Sequence, residues 1–121
     1  MTAAIWAAVA VIGGFGAVLR FVVDQAVTRR VDSPFPFGIL VVNVSGAFLL
    51  GFLSGLALSP HLALLAGTAF VGAYTTFSTW MLQTQLLAEE NRLWSAVANI
   101  VVSLVLGLGA AWLGQSIGTW M

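Results

Sequence analysis

The chain has no cysteine, a single histidine, four basic residues, all arginine, and four acidic ones, and each scarcity closes off a class of function. Without cysteine, neither a disulfide framework nor a thiolate metal site can form. With a formal net charge of +0 and no basic run, nucleic acid is not expected as a partner. The acidic residues Asp24, Asp32, Glu89 and Glu90 all fall in or near loops, so the membrane-buried carboxylates of a proton-driven pump are missing. His61 opens a helix at an interface, and with no carboxylate inside a span a catalytic metal site or hydrolase dyad has no parts. The chain is therefore not read as an enzyme.

What is abundant is apolar surface. The sequence is 60% hydrophobic and 7% charged, with a mean hydropathy of +1.05, far outside the range of a domain that must cover itself with polar side chains. This composition belongs to an integral membrane protein in contact with lipid. The stretch from Met1 to Ala10 lacks the positive start of a secretory signal and runs on past Phe15 without a clear cleavage site, so it reads as a retained helix.

Crossing the hydrocarbon core takes about 20 mostly apolar residues. Four such stretches are expected, from about Ala3 to Val27, Phe37 to Leu58, His61 to Leu87 and Trp94 to Ile117. They make residues 1–121 a single all-α, four-helix transmembrane subunit. TRRVDSPFP marks a surface loop, SPH a turn short enough to make the second and third helices antiparallel neighbours, and AEENR the charged end of the third helix. Four short helices enclose little, so oligomerisation is expected. Ala47, Gly51 and Gly55 recur every four residues on the second helix, a stripe that admits close approach of another backbone, from another chain or from this one.

Polar groups inside a membrane are expensive, and few are present. Asn43 continues the small-residue stripe, and Asn99, Ser103, Gly107, Ala111 and Gln115 form a second row on the fourth helix. Taken singly, such residues serve as interhelical glue contributing about 0.6 kcal/mol. A row of them on one face points instead to a solvated path. Arg20, near the end of the first helix, has the plain alternative of snorkelling to the headgroups.

GAYTTFSTW, Gly72 to Trp80, combines a glycine with Thr75, Thr76, Ser78 and Thr79, a poor helix-forming set in the middle of a span. A break here would free backbone groups near mid-membrane, tolerable only if buried in protein or lining a wet cavity. Freed carbonyls suit a cation. Phe77 and Trp80, three apart, would share a face, and the partly positive edge of an aromatic ring can face an anion without trapping it.

Three motifs in order resemble the Fluc, or CrcB, family of small fluoride channels: GGFGAVLRF (Gly13 to Phe21), FGILVVNVSGAFLLG (Phe37 to Gly51) and GAYTTFSTW. The resemblance spans nearly the whole chain. It implies passive fluoride efflux, relieving fluoride toxicity, through an antiparallel dimer with two pores and one central structural sodium, Na+. By the same resemblance, the backbone carbonyls of Gly72 and Thr75 hold the sodium, Phe77 and Trp80 take the aromatic pore positions, and Asn43 sits beside the fluoride path. Thr76, Ser78 and Thr79 line the path or hold the break, Ser103 is a polar-track serine, and Arg20 matches a vestibule arginine. Four positions depart from the pattern: Trp80 for phenylalanine, Ile39 for threonine, Gln83 for an acidic residue and Asn99 for tyrosine.

Arg20, Arg29, Arg30 and Arg92 flank loops on one side, which favours a single orientation in the inner (plasma) membrane with those loops in the cytoplasm and both termini outside. An antiparallel homodimer needs both orientations, so pairing with an oppositely oriented paralogue is the second expectation. The rival classes are a small multidrug-resistance transporter, which needs a carboxylate that Ala3 to Val23 does not contain, and a non-conducting partner subunit.

Overall fold

The computed structural model describes residues 2–121. Four helical segments are long and apolar enough to cross a membrane: Ala3–Arg30, Phe37–Gly55, Pro60–Glu89 and Leu93–Trp120. Most large apolar side chains point outward, as they do when lipid is the solvent, and the buried apolar core is small: Ile39, Val42, Ala69, Val71, Tyr74, Leu87 and Ala96.

The helix ends follow from local chemistry. Thr2 caps the first helix, its hydroxyl accepting from the Ile5 amide at 3.4 Å. This helix outruns the expected end at Val27 because Arg29 and Arg30 sit well in a last turn, where the carbonyl end of the helix dipole favours cations. Asp24 lies inside this helix and packs against Gly38 at the start of the second helix, where the dipole favours a carboxylate.

The second helix stops at Gly55, short of the expected Leu58, because Pro60 opens the next segment and disfavours helix in the residue before it. Ala57 takes a left-handed φ of 53° to reverse the chain. Ser59 then caps the third span, accepting from the Leu62 amide at 3.4 Å, with Pro60 in the first turn. At the far end of that span Asn91, with φ 60°, closes a Schellman turn: the Arg92 amide reaches the Leu87 carbonyl at 2.8 Å and the Asn91 amide that of Ala88 at 3.2 Å.

The third span is the irregular one. Residues 60–74 are helical, Ser78–Glu89 are helical, and 75–77 between them are not, as the sequence of GAYTTFSTW anticipates. Ala63–Val71 is wound as a π-helix, and the Gly72 amide reaches back five residues to the Gly67 carbonyl. This wider coil was not anticipated. It turns Gly67 and Gly72 to the same side, a pairing that a 3.6-residue period does not give.

The closest helix pair is the second against the fourth. Gly51 lies on the backbone of Ala111, Gly55 on that of Gln115 and Gly118, and Gly114 on the carbonyl of Phe48, so a Cβ at any of these glycines would strike main chain. Both helices thus contribute a small-residue pair four apart, and the glycine stripe packs within the chain at Gly51 and Gly55. Among the described residues the charged side chains all lie toward the end formed by loop 31–36 and residues 89–92, while the turn at 56–59, the start of the first helix and the close of the fourth form an end without any.

Candidate functional site

The break at 75–77 is held open by side chains that replace the helical ladder. Thr75 is extended, with φ −83° and ψ 163°. Beyond it the Thr76 amide, which in a continuous helix would bond the Gly72 carbonyl, donates instead to Asn43 Oδ1 at 2.9 Å. Asn43 Nδ2 returns a bond to the Thr76 carbonyl, also at 2.9 Å. Asn43 therefore pairs Thr76 as a neighbouring strand would. The Thr79 amide is likewise diverted, donating to Thr76 Oγ1 at 3.2 Å, which makes the Thr76 side chain the effective cap of the following helix.

Two carbonyls lose their donors by these diversions, those of Gly72 and Thr75. Among the described residues no other hydrogen bond reaches either oxygen. They are the same two carbonyls that the motif singles out. An uncharged pair of oxygens with free lone pairs is a donor set that fits a hard monovalent cation. Close behind them, the Tyr74 hydroxyl donates to Ser45 Oγ at 2.9 Å, and Ser45 in turn donates to the Val42 carbonyl at 3.1 Å. Gly46 makes room for this arrangement, since a Cβ there would strike the Thr75 methyl.

Beside the break lies a cleft of about 500 Å³, open to one side of the subunit. Asn43, Thr76, Phe77, Trp80 and Ser103 line it together with Gly72 and Thr75, so most of the motif residues converge on one space. Phe77 and Trp80 meet edge to face, ring centroids 5.7 Å apart and planes at 81°. Phe77 lines the cleft and is 70% exposed. Ser103 is buried, and its hydroxyl has no hydrogen-bond partner among the described residues. A buried hydroxyl left unpaired beside a cavity calls for a partner that the other described residues do not supply.

Other expected residues fall elsewhere. Ser78, Thr79 and Arg20 do not line the cleft. The Ser78 hydroxyl lies 3.4 Å from that of Thr76, on the break itself, and Arg20 is half-buried on the first helix with no carboxylate in ion-pair range among the described residues. Ile39 is buried in the core, so this departure belongs to packing. Gln83 faces a separate cleft of about 210 Å³ at the charged end, with Asp24 and Glu90. Asn99 is fully buried outside the main cleft and bonds Trp80 and Thr84. Sequence reasoning missed Thr68, Gly67 and Leu50 as lining residues. The five-residue offset of Gly67 and Gly72 was the available signal, hidden by the assumption of α-helical period.

Comparison with known proteins points to one family. The family model described as "CrcB-like protein, Camphor Resistance (CrcB)" matches residues 7–115. A Mycolicibacterium paratuberculosis protein named "Fluoride-specific ion channel FluC 2" is 70% identical, over 96% of this chain and 95% of its own length. The Mycobacterium tuberculosis protein of the same name is 65% identical, over 95% and 91%. A Nocardia farcinica protein named "Fluoride-specific ion channel FluC 1" is 40% identical, over 94% and 81%. With a broken third span, a cleft lined by its motif residues and a match that leaves out only the extreme ends, the chain belongs to the CrcB-like family.

Proposed function

We propose that this chain is a subunit of a passive, fluoride-selective channel of the inner (plasma) membrane, and that the cleft beside the broken third span is one wall of its ion path. The observation that carries the reading is the lining: unpaired Ser103 hydroxyl, Asn43 and the crossed rings of Phe77 and Trp80 in one cleft of a lipid-facing subunit. Fluoride is small and tightly hydrated, so its path must replace water with hydroxyl and amide donors. Ring edges add a weak positive field that lets the ion leave again. No carboxylate lines the cleft, so no coupled proton is available there to drive transport.

The cleft is open on one side, and a second subunit supplies the missing wall. In an antiparallel dimer the two breaks face each other, and the carbonyls of Gly72 and Thr75 from both subunits hold a sodium ion. When bound, that ion supplies positive charge to oxygens that the break has deprived of N–H donors. Asn43 keeps the Gly72 carbonyl free by occupying the Thr76 amide, and the Thr76 hydroxyl does the same for the Thr75 carbonyl by accepting from the Thr79 amide.

The placement of charge favours a second reading of the partner. The charged side chains lie toward one end, and the arginines among them favour one orientation. An oppositely oriented paralogue is then the matching subunit, in place of a second copy. Co-expression decides between them: flux from this chain alone supports the homodimer, and flux only with the paralogue supports the heterodimer.

A fluoride electrode on proteoliposomes tests the function itself. Fluoride efflux is expected without comparable chloride flux and without need of a proton gradient, and Phe77→Ile is expected to lower it. Equal chloride flux would sink the reading, as would dependence on a proton gradient.

A further inference from the structure

Residues 74–76 cross the second helix at Gly46, where a Cβ would strike the Thr75 methyl and meet the Tyr74 ring at 3.3 Å. At about 100° per residue, Asn43 lies roughly 60° to one side of Gly46 on the helix surface and Ser45 roughly 100° to the other. The crossing is tied on both flanks: Thr76 to Asn43 through its amide and carbonyl, each at 2.9 Å, and Tyr74 to Ser45 through its hydroxyl at 2.9 Å. Ser45 spends its own proton on the Val42 carbonyl at 3.1 Å, so Tyr74 is the donor and Ser45 Oγ a fixed acceptor. The Tyr74 ring is buried and stacks on Phe70, with planes at 8° and centroids 6.5 Å apart. Gly16 of the first helix closes on the same residue from behind, since a Cβ there would lie 3.3 Å from the Tyr74 nitrogen.

These ties set the direction of two carbonyls. In the planar trans peptide that joins Thr75 to Thr76, the carbonyl points opposite to the N–H, so the bond to Asn43 turns the Thr75 oxygen away from Asn43. The Gly72 oxygen belongs to the turn that Thr75 closes, its amide and its hydroxyl both donating to the Val71 carbonyl, at 3.0 and 3.2 Å. Tyr74 is the residue of that turn that is bonded to the second helix.

We infer that Tyr74 and Ser45 are positioning residues for the cation site: their bond sets the Gly72 carbonyl against the Thr75 carbonyl that Asn43 sets, so that both oxygens are held ready for one sodium ion. The inference rests on the sodium reading above. With the Asn43 arm alone, the last turn of the first half-helix would rock over Gly46, and part of the free energy of cation binding would go into stopping it.

The test reads sodium without reading flux, in thermal melts of the detergent-solubilised assembly across a range of sodium concentrations, with N-methylglucamine holding the ionic strength constant. Sodium is expected to raise the melting temperature of the unsubstituted protein. Tyr74→Phe removes one hydroxyl and strands no donor, because Ser45 keeps its bond to the Val42 carbonyl. It should raise the sodium concentration needed for a given gain in melting temperature about fivefold, within the range of one neutral hydrogen bond. Ser45→Ala should do the same, and the double variant should do no more than either, since both cut one bond. Either single variant suffices where the other does not fold. A role in packing alone would lower the melt equally with and without sodium and leave the sodium requirement where it was, and that result would overturn the inference. So would shifts that add in the double variant. Melts of the unsubstituted protein that ignore sodium would instead overturn the sodium reading itself, so the two failures are separable.

Discussion

Asn43 and Ala47 belong to the same four-residue row of the second helix as Gly51 and Gly55, yet the two pairs serve opposite ends. Gly51 and Gly55 are pressed onto the main chain of the fourth helix, where nothing larger than hydrogen fits. Asn43 and Ala47 face the open cleft, whose other walls come from the broken span and from Ser103 and Leu104 of the fourth helix. One periodic stripe therefore divides into a half that builds the subunit and a half that builds the path. The difference teaches that a small-residue row names a close approach without naming what approaches.

Substitutions should separate the halves. Gly51→Val and Gly114→Val drive side-chain atoms into facing backbone, and each should destabilise the subunit by about 3 kcal/mol or more, read as early unfolding in a detergent melt. Asn43→Ala stands between the classes: it strands the Thr76 amide and carbonyl, costing about 1–3 kcal/mol, and should cut fluoride efflux about tenfold or more while the fourth-helix contact survives. Ala47→Leu should shift the melt by less than about 0.5 kcal/mol, yet obstruct the cleft and stop flux in the liposome assay. Ser103→Ala should have the smallest effect on stability, because its hydroxyl leaves no partner behind, and should slow efflux by about threefold, within the range of one neutral hydrogen bond. A Gly51 variant that folds but does not conduct, or an Ala47 variant that fails to fold, would erase the division.

The sequence was informative where solvent dictates pattern. Lipid demands long apolar spans, and charges and prolines mark their ends, so the four spans were placed to within a few residues. The break was legible because a cluster of Thr, Ser and Gly at mid-span has no other economical explanation. Hydrogen-bond partners were not legible. Thr76 and Asn43 are 33 residues apart, and Trp80 and Asn99 are 19 apart, so their pairing depends on how the helices are laid side by side. The π-wound stretch was also hidden, since the residues Ala63–Val71 read as ordinary apolar helix, and its register changes which of them reach the cleft.

The two undonated carbonyls of Gly72 and Thr75 also bear on the lifetime of the subunit before assembly. In water such oxygens would be hydrated at little cost, but in hydrocarbon each unsatisfied group costs several kcal/mol. In the assembly proposed above, a lone subunit in the bilayer would be a high-energy species, and separation of the subunits would have to pass through it. Subunit exchange should accordingly be slow compared with the time a channel is needed, so the composition of each assembly is set once, when it first forms.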